Sequence, residues 1–142
     1  MYKRSITYTD FDGVERKETF YFNLSKAEIT QLELETPGSF SGYIQQIIDA
    51  KSTTELIKLF KKFIDLSYGV KSPDGRRFIK NQEVLTEFKE TEAYSEFFMD
   101  LVSNTDLAIE FMNGIMPQLT PEQQKEVDAK LAEYKDELAK TE

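Results

Sequence analysis

Between Tyr2 and Phe22 the chain alternates. Tyr2, Arg4, Ile6 and Tyr8 stand against Lys3, Ser5, Thr7 and Thr9 at a period of two, the spacing of a half-buried strand. Asp10-Phe11-Asp12-Gly13 follows as a turn, with Asp12-Gly13 suited to positive φ angles. The return stretch VERKETFYF puts Phe20 and Phe22 on one face and Thr19 and Tyr21 on the other. The pattern predicts a β-hairpin over residues 1–22. An isolated hairpin is marginal in water, so it must lean on helices or on another chain.

From Asn23 the period lengthens to that of helices. Ser25-Lys26-Ala27-Glu28 is a capping box, in which hydroxyl and carboxylate each take an orphan backbone N–H. Its helix should end near Glu35, before Thr36-Pro37-Gly38. A short second helix carries Phe40, Tyr43, Ile44, Ile47 and Ile48, with Ser39 as its cap. Ser52-Thr53-Thr54-Glu55 opens a third helix to about Tyr68, ended by Gly69. Its stripe is Leu56, Leu59, Phe60, Phe63 and Ile64, while Lys58, Lys61, Lys62 and Asp65 face water.

Three further helical patterns follow: Gln82 to Glu90 with Val84, Leu85 and Phe88; Glu92 to Val102 with Tyr94, Phe97, Phe98 and Leu101; and Asp106 to Met116 with Ile109, Phe111, Met112 and Ile115. Pro117 closes this part. Thr120-Pro121-Glu122-Gln123 joins a capping box to Pro at the first helical position and opens a helix to about Ala139. These elements predict an α+β fold, mostly α, with the N-terminal hairpin followed by a compact bundle of about six to seven helices. Residues 1–117 read as hairpin plus helical domain, and residues 118–142 as a C-terminal amphipathic helix.

Between the helical halves lies YGVKSPDGRRFIKN, residues 68–81, with Lys71, Arg76, Arg77 and Lys80 against one Asp in a chain of net charge −8. Ser72-Pro73-Asp74-Gly75 has the residues of a type I turn. Arg76, Phe78 and Lys80 then alternate with Arg77 and Ile79, a short extended piece whose apolar members would be pinned to the core. An ordered structural loop, a partner-docking surface and a phosphate grip are all open readings. The phosphate reading lacks the Gly-x-x-x-x-Gly-Lys-Ser/Thr spacing and any strand–loop–helix frame. Arg76 and Arg77 are the candidates for touching a partner, since Arg is enriched in binding hot spots.

Composition removes much chemistry. With no Cys and no His, disulfides, thiolate nucleophiles, imidazole bases and the usual zinc ligands are excluded. No acidic stretch has the spacing of a calcium loop, and no pair of carboxylates is nominated as general acid and base. The acidic balance argues against nucleic acid as a partner. No apolar run approaches the roughly 20 residues that span a bilayer, and the N-terminus MYKRSITYTD lacks the apolar region of a secretory signal. The expectation is a non-enzymatic cytoplasmic protein with no cofactor. An enzyme using Arg76 or Arg77 with carboxylates and Mg²⁺ is the outlying alternative.

Two patterns remain. Tyr94, Phe97, Phe98 and Phe111 sit at helical spacing among aliphatics, as core residues do. Val127, Leu131, Tyr134 and Leu138 recur at spacings of four, three and four on an otherwise charged helix. That narrow seam fits a partner, a second copy, or docking on its own domain.

ITYTDFDGVERKETFYFNLSKAEI, then YGVKSPDGRRFIKN, then TEAYSEFFMDLVSN resembles the tail assembly chaperones of long-tailed bacteriophages, most closely those of phages and prophages of Gram-positive bacteria. The resemblance covers residues 2 to 117 and rests on the combination and order of these stretches, none of which is catalytic. It implies a chaperone that binds and solubilises the tape measure protein during tail morphogenesis and is absent from the mature virion. It further implies two lengths made by a programmed frameshift, the longer one recruiting the tail tube protein, with this chain as the short form. Location in the cytoplasm of the bacterial host and assembly as a homo-oligomer around the tape measure follow from the same resemblance. The alternative is a generic cytoplasmic adaptor or regulatory module unrelated to tails.

Overall fold

The alternating N-terminal segment folds as an antiparallel hairpin in the computed structural model of the chain. The structure describes residues 1–35, 42, 45–47, 49–115 and 121–133. Strand β1 (Tyr2–Thr9) pairs with β2 (Glu15–Phe22) along its whole length, from Tyr2 opposite Phe22 to Thr9 opposite Glu15. The turn closes through the Asp10 N–H donating to the Val14 carbonyl at 2.9 Å and the Gly13 N–H to the Asp10 carbonyl at 3.0 Å. Only Gly13, at φ 81°, takes the left-handed conformation there. Asp12 does not, because a three-residue loop with a glycine in its last position needs one such residue and not two.

Two further strands, β3 (Tyr68–Lys71) and β4 (Phe78–Ile79), extend the sheet in the order β1-β2-β3-β4. The preceding helix ends within one residue of its expected end, and what these strands change is the role of Gly69. That helix stops at Ser67, and Tyr68 turns extended at ψ 139°. Tyr68 pairs with Phe22 across the sheet and stacks on Phe88 at 4.2 Å between ring centroids, so burial of the ring in the sheet wins over one more helical residue. Gly69 is therefore a strand residue rather than a helix terminator.

Among the described residues six helices have defined bounds. They are α1 (Lys26–Glu35), α2 (Thr53–Ser67), α3 (Gln82–Lys89), α4 (Glu92–Ser103), α5 (Thr105–Ile115) and α6 (Pro121–Glu133). The architecture is α+β and mostly α. The cap at Ser25 is reciprocal, with Glu28 N–H to Ser25 Oγ at 3.1 Å and Ser25 N–H to Glu28 Oε1 at 3.0 Å. Asn81, Thr91 and Asn104 cap α3, α4 and α5 in the same sense through their side-chain oxygens. Residues 45–47 are also helical, with Ile47 buried. The rest of the short second helix predicted there, with Phe40, Tyr43, Ile44, Ile48 and its cap Ser39, lies outside the described residues. So do Thr120, the boundary expected at Pro117, and the chain beyond Glu133.

The helices cover one face of the sheet. Tyr2, Ile6, Tyr8, Phe20 and Phe22 are buried there, and Phe22 is the hub. Rings of Tyr2, Tyr68, Phe88, Phe97 and Phe111 surround it with centroids at 4.8–6.1 Å, in the tilted, stacked and edge-on arrangements that aromatic quadrupoles favour. Arg4 shares that inner face and is accommodated by Asp100 of α4 at 3.5 Å. Asp65, expected in water, is half-buried and pairs with Lys89 at 2.8 Å.

Candidate functional site

The YGVKSPDGRRFIKN segment folds as the β3–β4 hairpin, and most of its residues are accounted for by architecture. The Gly75 N–H donates to the Ser72 carbonyl at 2.8 Å, and the Ser72 N–H to the Arg77 carbonyl at 2.9 Å. Gly75, at φ 73°, supplies the left-handed residue. Asp74 Oδ1 accepts from Ser72 Oγ at 2.6 Å and from the Arg76 N–H at 3.0 Å, while Ser72 Oγ accepts from the Arg77 N–H at 3.0 Å. The Ser72 hydroxyl and the Arg76 amide together hold the Asp74 carboxyl below its ordinary range. The turn is thus a rigid stage.

Gly69 permits the closest approach in the hairpin. A Cβ built on it would lie 2.6 Å from Phe78 Cε2 and 3.0 Å from the Ile79 carbonyl oxygen. The Phe78 ring therefore covers the sheet's outer face at Gly69, on the side opposite the buried Tyr68. Phe78 and Ile79 are both half-buried, and neither joins the core cluster. This corrects the expectation that both are pinned inward. The two-residue strand β4 is too short to cross into the aromatic core, so Phe78 packs on the bare glycine instead.

Lys80 is the residue that sequence reasoning missed. Its ammonium donates to Glu28 Oε2 at 2.6 Å, to the Leu66 carbonyl at 3.0 Å and to the Asn23 carbonyl, so all three of its protons are used. One side chain thereby ties the basic hairpin to the β2–α1 junction and to the end of α2. Burial raises the Glu28 carboxyl, but Lys80 together with the Ser25 amide outweighs it and holds the carboxyl below its ordinary range. In sequence Lys80 reads as one more exposed cation, and nothing local marks it out.

Arg76 and Arg77 remain at the surface. Arg76 Nε lies 3.8 Å from Asp74 Oδ2, but the two side chains are 78% and 64% exposed, so the pair is weak. Arg77 is exposed, and among the described residues no carboxylate pairs with it. Of the other predicted contacts, Val127 and Leu131 are fully buried in the chain's own core, with α6 packed against α5. Lys130, on the same helix, donates to the Ala50 carbonyl at 3.2 Å. Tyr134 and Leu138 lie outside the described residues. The arginines and the α6 pair therefore form no common surface.

What the turn does adjoin is the outer face of the sheet. Lys3, Ser5, Thr7 and Thr9 of β1 alternate outward, and Lys17, Thr19 and Tyr21 lie opposite them on β2. Ser5 and Thr19 share a hydrogen bond of 2.8 Å. Lys71 of β3 completes the face, with its ammonium 4.4 Å from the centre of the Tyr21 ring. Beyond Tyr21 opposite Gly69, β3 leaves β2 and opens a notch of about 340 Å³ lined by Glu18, Thr19, Tyr21, Val70 and Lys71. The period-two pattern placed the β1 and β2 residues on this face, but β3 joins them only through tertiary pairing.

A concavity of about 670 Å³ lies between Gly42, Gln45, Gln46 and Asp49 on one side and Glu55, Lys58, Leu59 and Lys62 of α2 on the other. Its Asp49 and Glu55 already accept bonds from Gln45 and from the Lys51 N–H. Among the described residues no three acidic side chains gather as metal ligands do. No described helix is long and apolar enough to cross a membrane.

A family model described as phage tail assembly chaperone matches residues 1–142, the whole chain. No curated protein and no solved structure matches it.

Proposed function

The chain belongs to the phage tail assembly chaperone family, and we propose that within it the chain binds and solubilises the tape measure protein, without catalysis, in the cytoplasm of the bacterial host. The observation that carries this reading is the family match over the full length. The geometry supports it in two ways. The two exposed arginines stand on a turn fixed by five hydrogen bonds among Ser72, Asp74, Gly75, Arg76 and Arg77, so little ordering cost attends contact with a partner. The net charge of −8 keeps a coated, otherwise apolar assembly dispersed.

In this reading Arg76 and Arg77 touch the partner first. Val127 and Leu131 join, with Tyr134 and Leu138, only where α6 leaves its seat, because neither has exposed area in the docked helix. The tail tube protein is a further partner of a longer, frameshifted form.

Co-expression with the tape measure protein of the same phage tests the reading. A soluble complex that elutes as one species is expected, and an insoluble tape measure protein with no complex overturns it. The double variant Arg76→Ala/Arg77→Ala should melt as the unaltered chain does and bind less. Lost stability with retained binding would make the arginines architectural instead.

A further inference from the structure

The first hairpin outruns the core that supports it. On its inner face burial ends at Tyr8 of β1 and Phe20 of β2, and residues 15–19 of β2 are all exposed. The tip beyond carries Phe11, 78% exposed, and Val14, 55% exposed. Among the described residues no large apolar side chain is more exposed than Phe11. Single apolar residues scattered on a surface need no explanation, but two on one tip mark a contact.

The tip is also locked. Asp10 Oδ1 accepts from the Asp12 and Val14 N–H groups, each at 2.9 Å, and Asp10 Oδ2 accepts from Arg16 Nε at 2.6 Å. Arg16 foremost, then the two amides, hold the Asp10 carboxyl below its ordinary range, so the lock stays shut near neutral pH. An apolar group already fixed in place loses little freedom when a partner covers it.

Beside Phe11 the surface is concave. A groove of about 300 Å³ is lined by Phe11 and Asp12 from the tip and by Glu90, Thr91 and Glu92 from the junction of α3 and α4. Arg16 also lines it, but its guanidinium is taken up by Asp10. Among the described residues Asp12, Glu90 and Glu92 are in no ion pair. The groove thus joins an exposed aromatic ring to three carboxylates that nothing neutralises.

We propose that the β1–β2 tip is a docking site for a basic amphipathic segment of another protein. Its apolar side chains would cover Phe11 and Val14, while a Lys or Arg enters the groove among Asp12, Glu90 and Glu92. Charge complementarity selects this occupant. An acidic segment or an anionic bilayer would meet like charge, and an uncharged apolar segment would desolvate the carboxylates without compensation. An ammonium or guanidinium compensates them and is attracted by the face of the Phe11 ring as well. The site uses none of the residues assigned to the tape measure contact, so the proposal does not rest on that reading.

Two amidated synthetic peptides, each with its apolar residues on one helical face, test it by calorimetry on the full chain. One is built of Leu and Lys, the other of Leu and Glu, and only the first should bind. Phe11→Ser/Val14→Ser should melt as the unaltered chain does and weaken that binding at least about tenfold. Asp12→Asn/Glu90→Gln/Glu92→Gln should weaken it comparably and reduce its dependence on salt. Unchanged binding to both variants, or equal binding of the Leu and Glu peptide, overturns the proposal. If a variant fails to fold, amide shift mapping on the unaltered chain decides. The largest shifts from the Leu and Lys peptide are expected at residues 11–14 and 90–92, and shifts concentrated elsewhere overturn it. Flotation with phosphatidylcholine–phosphatidylglycerol vesicles and sedimentation of the chain alone test the rival occupants. Vesicle binding, or self-association, that is lost in Phe11→Ser/Val14→Ser would give the tip to a membrane or to a second copy, and either result overturns the proposal.

Discussion

The two hairpins of this protein close with the same turn chemistry and survive by different means. Asp10 to Gly13 and Ser72 to Gly75 each end in Asp-Gly, each with a glycine at positive φ, 81° and 73°. Each has a strand-closing bond of 2.9 Å, from Asp10 to Val14 and from Ser72 to Arg77. The first hairpin then runs eight residues per strand, and one face of it is the floor of the aromatic core. The second has only two pairs, Val70 with Ile79 and Lys71 with Phe78, too few to hold it. Phe78 seated on Gly69 braces it from within, and from outside it is held by the pairing of β3 with β2 and by Lys80 bonded to Glu28, Leu66 and Asn23. A turn motif thus specifies where the chain reverses, while the number of strand pairs decides whether the reversal needs a tether.

The sharpest way to break this contrast is to cut the tether. Lys80→Met keeps the apolar stem but leaves Glu28 and two carbonyls without their donor. It should cost about 2–3 kcal/mol in urea unfolding, with amide exchange at Arg77 accelerated well before that at Val14. Next, Gly69→Ala forces the Phe78 ring off its seat and presses on the Ile79 carbonyl. A loss of about 1–3 kcal/mol is expected, again felt first in the second hairpin. If Gly69→Ala left stability unchanged, the seat of Phe78 would not be a support. Gly13→Ala and Gly75→Ala test what the hairpins share. Each places a Cβ in the left-handed region with nothing within 4 Å to clash, so each should cost about 1–2 kcal/mol from backbone strain alone.

Acid gives the smallest and most selective effect. The Glu28 carboxyl is held below its ordinary range in the folded chain. The stability it contributes is therefore present above the unfolded carboxylate pKa and is lost as pH falls through the lower, folded one. In thermal melts on descending pH, Glu28→Gln should flatten that acid limb relative to the unaltered chain. An unchanged slope would mean that Lys80 is held by its two carbonyls alone.

Much of the fold was legible locally. The period-two alternation of residues 2–22, the capping residues Ser25 and Ser52, and the Asp-Gly turns each act within a few residues. Arg76 and Arg77 were legible as candidate contacts for the same reason, since a turn exposes what it carries. Val127 and Leu131 were legible only as an apolar seam. Whether a seam meets its own core or another chain depends on a surface elsewhere, and in this structure α5 supplies it.

By itself the sequence determined the first hairpin, the capped helices and the two Asp-Gly turns, because alternation, caps and positive-φ glycines are short-range physics. Only the tertiary structure decided that Tyr68 leaves its helix for the sheet, that Gly69 is a seat rather than a terminator, and that Lys80 is a tether. Those outcomes depend on partners such as Phe88, Phe78, Asn23 and Glu28. The last two lie 57 and 52 residues from Lys80 along the chain, and no local pattern encodes who will be standing there once the core has closed.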